Sequence, residues 1–197
     1  MIPIEKNRRG VLLLQIARAA ISRALQVACA TPQVEDEESW LFKPGATFVT
    51  LTQSSELRGC IGSLQAYCPL IEDVRNNAVS AALRDPRFMP LTANELSGVA
   101  IEVSLLSDLQ PLNFSCEGDA LAQLRPGIDG VVFEYGHHRS TFLPQVWESL
   151  PQPRQFLAQL KLKAKLPENF WSDGIVLSRY TVSKWRETDL AEEYAHG

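Results

Sequence analysis

Apolar positions near the start of the chain recur at helical spacing: Leu12, Ile16, Ala19, Ala20 and Val27 share one side, and Arg18 and Arg23 can face water. Residues three and four apart share a helix face, so roughly residues 8–29 are predicted to form one long helix packed on a sheet. The pattern then breaks. Pro32 to Glu38 is acidic and turn-like, and Glu35-Asp36-Glu37-Glu38 reads as a solvated loop or helix start, because nothing makes those carboxylates converge. Trp40, Leu41 and Phe42 follow as a hydrophobic anchor.

A period of two takes over at Thr47-Phe48-Val49-Thr50-Leu51-Thr52 and resumes at Leu57 after the polar Gln53 to Glu56, which predicts a hairpin. Pro69 suits a first helical position, and Leu70, Val74, Ala78 and Ala81 trace one face until Asp85-Pro86 stops the helix. Val99 to Leu105 is the next strand. Val131 to Tyr135 and Arg139 to Leu143 flank Gly136-His137-His138 as a second hairpin. Pro144 opens a short helical stretch with Val146, Trp147 and Leu150, and another helix carries Phe156, Leu157, Leu160 and Ala164. Ile175 to Trp185 reads as one closing strand, with a polar tail fraying after Arg186. Helices and hairpins without a repeating βαβ unit favour an α+β fold, mostly antiparallel sheet flanked by helices.

Composition narrows the class. At 197 residues, 45% apolar and 21% charged, the chain has globular proportions, which excludes collagen-like, disordered and coiled-coil proteins. The net charge of −4 supplies no field to gather phosphate backbones, so nucleic acid is not expected as the main partner. Arg18 and Arg23 interrupt the apolar run after Lys6, Arg8 and Arg9, which argues against a secretory leader or a membrane span. Cys29, Cys60, Cys68 and Cys116 form no C-x-x-C pair and read as reduced thiols of a cytoplasmic protein.

The densest chemical signal is Leu57-Arg58-Gly59-Cys60-Ile61-Gly62. On a strand, residues two apart share a face, so Arg58 and Cys60 should project together, and a guanidinium beside a thiol favours the nucleophilic thiolate. The two glycines would let a ligand approach the backbone. The competing reading makes Cys60 a small buried hydrophobe. Cys68 could resolve a Cys60 disulfide or simply lead into the helix. Glu102, a carboxylate in mid-strand, is the acid or base candidate, a Cys60–His138 couple is allowed, and Asp85-Pro86-Arg87 should order the chain after the helix. His137 and His138 are adjacent in a turn, and no metal is assigned. Dinucleotide, Walker and G-x-S-x-G motifs are absent.

Five segments taken together, Leu57 to Gly62, Asp85-Pro86-Arg87-Phe88, Ile101 to Leu105, Gly127-Ile128-Asp129-Gly130 and Thr141 to Trp147, resemble the AMMECR domain family, whose prokaryotic members are the AmmeMemoRadiSam system protein A. Their order and spacing match from about Arg9 to Trp185. The resemblance implies one domain over residues 1–190 made of two subdomains, the larger from both chain ends and the smaller inserted, with 191–197 a disordered tail. It also implies a cleft between subdomains lined by Arg58, Gly59, Cys60, Ile61 and Gly62, with Glu102 and Thr141 as further polar candidates. A Memo-type protein and a radical-SAM protein are the implied partners. No reaction and no cofactor follow from it. Lys165 stands where the family usually carries a glycine, a change at a helix end, and Cys68 lies outside the signature.

Two functions are carried forward. In the first, Cys60 is a nucleophile or ligand-contacting thiol of a small-molecule enzyme, Arg58 activates it or clamps an anion, Glu102 moves a proton and Thr141 hydrogen-bonds the ligand. In the second, the same residues belong to a non-catalytic ligand-binding or docking subunit.

Overall fold

The computed structural model describes residues 3–34 and 36–189. Glu35 and the tail 191–197 lie outside the described residues. The fold is α+β and divides into two compact units, one of Met1–Leu105 with Ser183–Gly197 and the other of Leu106–Val182.

Unit 1 begins with α1 (Pro3–Ala24), which places Leu13, Ile16, Ala17 and Ile21 in the core. The helix ends earlier than the hydrophobic stripe predicts. Gln26 adopts a left-handed φ of 58°, its N–H donates to the Arg23 carbonyl, and the Val27 N–H donates to that of Ser22. This paired closure satisfies the last carbonyls and turns Val27 in as a packing residue. Arg18 does not simply face water: it is half-buried, with Nη2 donating to the Val99 carbonyl at 2.7 Å, Nη1 to that of Leu96, and Nε to Glu187 at 2.9 Å.

A four-stranded sheet follows in the order β10-β5-β2-β3, where β2 is Thr47–Gln53, β3 Glu56–Gly62, β5 Val99–Leu106 and β10 Val182–Arg186. A two-residue turn at Ser54-Ser55 joins β2 to β3, both serines having positive φ, the geometry that matches the twist of a tight hairpin. Short strands β1 (Pro44–Gly45) and β4 (Cys68–Pro69) pair with each other and deliver the chain to α2 (Leu70–Leu83). Thr47, Val49 and Leu51 point into the core shared with α1 and α2, while Phe48, Thr50 and Thr52 occupy the far face of the sheet. At the start of β2, Asp73 of α2 accepts both the N–H and the hydroxyl of Thr47 at 2.7 Å, with Asn77 completing a buried polar cluster.

Unit 2 holds the sheet β6-β9-β7-β8, with β6 Gln110–Pro111, β7 Gly130–Tyr135, β8 His138–Phe142 and β9 Val176–Tyr180. Its core joins Val131, Phe133 and Leu177 to Phe156, Leu157 and Leu160 of α4 (Pro153–Lys163), and Trp147 stacks on Phe156 at 3.7 Å. The closing strand expected over Ile175 to Trp185 is in fact β9 and β10. At Thr181 the chain leaves one sheet for the other, its N–H and carbonyl both bonded to Ser107. A further short helix, α3 (Glu117–Gln123), went unpredicted because only Ala120 in it is buried.

Lys165 follows α4 with φ 63°, its N–H bonded to the Leu162 carbonyl and the Leu166 N–H to that of Lys161. This is the helix-closing position that glycine fills without steric cost. Lys165→Gly should therefore raise stability by about 1 kcal/mol, read from the urea midpoint at unchanged slope.

Candidate functional site

The register of unit 1 sets three polar side chains in one row. Thr50 of β2 lies opposite Cys60 of β3 on one side and Glu102 of β5 on the other. All three project from the sheet face turned away from α1 and α2. Strands lie about 4.8 Å apart, so the row spans roughly 10 Å from Cys60 to Glu102. The Thr50 hydroxyl donates to Cys60 Sγ at 3.3 Å. Glu102 is 13% exposed; Oε2 accepts from Arg186 Nε, and Lys184 Nζ stands 3.9 Å from Oε1. Thr50 is a member that the sequence reading passed over, because it registered only as a beat of the strand alternation.

The edge of β3 is closed by the loop after α2. The Cys60 N–H donates to Asp85 Oδ2 at 2.8 Å, and Arg87 Nη2 donates to the Cys60 carbonyl at 3.1 Å. One acceptor and one donor thus stand where a neighbouring strand would offer the same groups. Arg87 is held against Asp85 by Nε at 2.9 Å and Nη2 at 2.7 Å, and Asp85 also accepts the Arg87 N–H. The Arg87 hydrogen bonds, then the N–H groups of Cys60 and Arg87, hold the buried Asp85 carboxyl well below the usual carboxylate range. Arg87 is correspondingly held charged, by Asp85 first and by the Cys60 side chain after it.

Arg58 takes a different direction from the one its spacing predicts. Leu51 pairs with Gly59 and Thr52 with Leu57, so Arg58 is the extra residue of a bulge. Its guanidinium bonds Glu95 Oε1 at 3.1 Å and the Met89 carbonyl at 2.9 Å. Glu95 also accepts the N–H and hydroxyl of Thr92, and these bonds, with Arg58, lower its pKa. The guanidinium that reaches Cys60 is that of Arg87, through the Cys60 carbonyl.

Gly59 and Gly62 are close-approach positions, and what approaches is the protein. A Cβ on Gly59 would meet the Ala81 carbonyl oxygen of α2 at 2.2 Å, and one on Gly62 the Phe48 ring at 2.2 Å. Ile61 packs against the unit 1 core. Cys68 sits in β4 with a free thiol, which burial first and then Asp73 and Glu72 push up.

Thr141 and His138 belong to unit 2. Tyr180 donates its O–H to the Phe142 carbonyl, so at their 3.2 Å contact the Thr141 hydroxyl is the donor and Tyr180 the acceptor. Burial raises the Tyr180 pKa. His138 Nδ1 lies 2.8 Å from the Ala164 carbonyl at the end of α4, which fixes the proton on that nitrogen. Among the described residues no cluster of His, Cys, Asp and Glu is arranged to hold a metal, and no helix is long and apolar enough to cross a membrane.

The AMMECR1 family matches residues 14–185 of the chain. Protein MJ0810 of Methanocaldococcus jannaschii is 33% identical, covering 91% of this chain and 90% of that one. A protein of Aeropyrum pernix is 39% identical over 91% of this chain and 79% of its own. Among solved structures, the uncharacterized protein PH0010 of Pyrococcus horikoshii is similar with a TM-score of 0.71 at 29% identity, covering 90% of this chain and 91% of that one.

Proposed function

Since the chain belongs to the AMMECR1 family, we propose that it is a small-molecule enzyme or enzyme component whose chemistry runs along the Cys60–Thr50–Glu102 row. The observation that carries this reading is the register itself. The β2–β3 and β2–β5 pairings set a thiol at one end, on the residue whose carbonyl Arg87 bonds, and a carboxylate between Lys184 and Arg186 at the other. A ligand lying across three strands would meet Cys60 as nucleophile or contact thiol, with Arg87 receiving an anionic group. Glu102 would exchange a proton at the far end. Arg58, tied to Glu95 and Met89, is the positioning residue that sets the edge on which Cys60 sits. Gly59, Ile61 and Gly62 shape the strand by packing.

The second reading, a non-catalytic ligand-binding or docking subunit of a Memo-type or radical-SAM system, draws on a different observation. Leu57 is 42% and Met89 81% exposed, and Arg58 lies between them, bonded to Met89. Apolar side chains held open beside the signature strand are what a protein partner would cover.

Alkylation separates the two. Native protein treated with iodoacetamide at neutral pH, with Cys60→Ser identifying the site by mass spectrometry, should modify Cys60 about tenfold faster than the exposed Cys29 and Cys116. Arg87→Leu should remove that advantage. An inert Cys60 in folded protein would overturn the nucleophile role and leave the docking reading.

A further inference from the structure

On the helix side of unit 1, a cavity of about 300 Å³ opens between α1, α2 and the Thr31-Pro32 segment. Its wall is made of small apolar side chains, Ala19, Ala20 and Ala24 from α1 and Val79 from α2. Arg23, Arg75 and Arg84 also line it, and among the described residues these are the charged side chains there. That composition is unexpected in a chain of net charge −4. In a folded acidic protein, arginines standing together are ordinarily matched by carboxylates, as Arg87 is by Asp85 and Arg125 by Asp129. No carboxylate faces this cavity among the described residues, and Arg23, Arg75 and Arg84 make no side-chain ion pair or hydrogen bond there.

Three like charges around one concavity repel one another, and the cost falls when an anion enters. A guanidinium is suited to that role because its planar fork bonds two oxygens of a phosphate or carboxylate at once. Arg75 lies in α2 and Arg84 is the residue that follows its last turn, nine positions and about 13 Å further at helical rise, so they flank the cavity rather than grip a single atom. Between them the alanine wall can accept an apolar body but offers it no hydrogen bond, while the Asn76 amide lies at the margin.

We propose that this cavity is a binding site for a small organic oxyanion, an apolar body carrying a phosphate or carboxylate group, which the arginines hold at the rim while the alanines cover the body. It is separate from the Cys60 row, which lies on the opposite face of the sheet.

The test uses the whole protein titrated with phenyl phosphate, benzoate, inorganic phosphate and benzyl alcohol, followed by isothermal calorimetry and by amide NMR shifts of residues 19–24 and 75–84. Phenyl phosphate or benzoate should bind with shifts at those residues. Benzyl alcohol and inorganic phosphate should each bind at least tenfold more weakly, since each lacks half of the recognition. The three arginines are exposed, so the Arg23→Gln, Arg75→Gln, Arg84→Gln triple variant keeps the fold, checked by its unchanged melting temperature, and should lose at least tenfold in affinity. Absence of binding by both organic anions up to about 10 mM, a concentration at which a site of about 1 mM Kd is nearly filled, overturns the proposal. So does equal binding by the triple variant, or binding of inorganic phosphate as tight as that of phenyl phosphate.

Discussion

Asp85→Ala should lower the stability of the protein by about 3 kcal/mol at pH 7, because it strips the edge strand of the group that ends it. Asp85 is buried and accepts two backbone N–H groups and two guanidinium bonds. Without it the Cys60 N–H has no partner on the open side of β3, and Arg87 loses the contact that aims it at the Cys60 carbonyl. Asp85→Asn should cost less, because the amide oxygen can still accept one N–H while its NH₂ faces other donors. Urea denaturation of the three proteins reads the order directly, and equal midpoints for Asp85→Ala and the native chain would remove the edge-closing role.

The same loss should depend on pH with a definite sign. The carboxyl of Asp85 has a folded pKa below its unfolded value of about 3.9. Its contribution is therefore complete above that unfolded value and disappears as pH falls toward the folded one. The gap between the native protein and Asp85→Ala should be constant from pH 5 to 8 and should narrow below about pH 4. A gap that widened in acid would mean the carboxyl binds its proton more tightly in the folded state, the reverse of what its hydrogen bonds impose.

The elements built on strong periodicity were legible in the chain. The Thr47–Thr52 alternation, the stripe of Leu70, Val74, Ala78 and Ala81, and the hairpin around Gly136 correspond to β2, α2 and the β7–β8 pair. Register-dependent facts were not. That Thr50 stands between Cys60 and Glu102 follows from which residue pairs with which across three strands, and no local pattern encodes that offset. The bulge at Arg58 is a miscount between two strands, invisible in either one alone. A two-residue rule of alternation therefore assigned the guanidinium beside Cys60 to Arg58, when a loop 27 positions downstream supplies it through Arg87. Asp85 and Arg87 were legible as a turn, since the Asp85 side chain does accept the Arg87 N–H, but the reach to β3 is a tertiary contact.

Gly59→Ala should destabilise the protein by about 3 kcal/mol, and the reason separates it from its neighbour in the signature. The added Cβ would fall 2.2 Å from the Ala81 carbonyl oxygen and 3.1 Å from its carbon. Those atoms are helix backbone, and no rotamer change moves them. Either β3 lifts from α2 or the helix shifts outward, and both stretch the Asp85 bond to the Cys60 N–H, since Asp85 follows α2 by two residues. At Gly62 the obstacle is the Phe48 ring, a half-buried side chain. Phe48→Ala should therefore relieve Gly62→Ala in a double variant, with a coupling of at least 1 kcal/mol. No substitution of the Ala81 side chain should relieve Gly59→Ala, because the clash is with its carbonyl. Rescue of Gly59→Ala by Ala81→Gly would show that the strand and helix are held apart by side chains. Failure of rescue, with faster alkylation of Cys60 in Gly59→Ala, would place Gly59 as the contact that lets helix, loop and edge strand close on one another around the thiol.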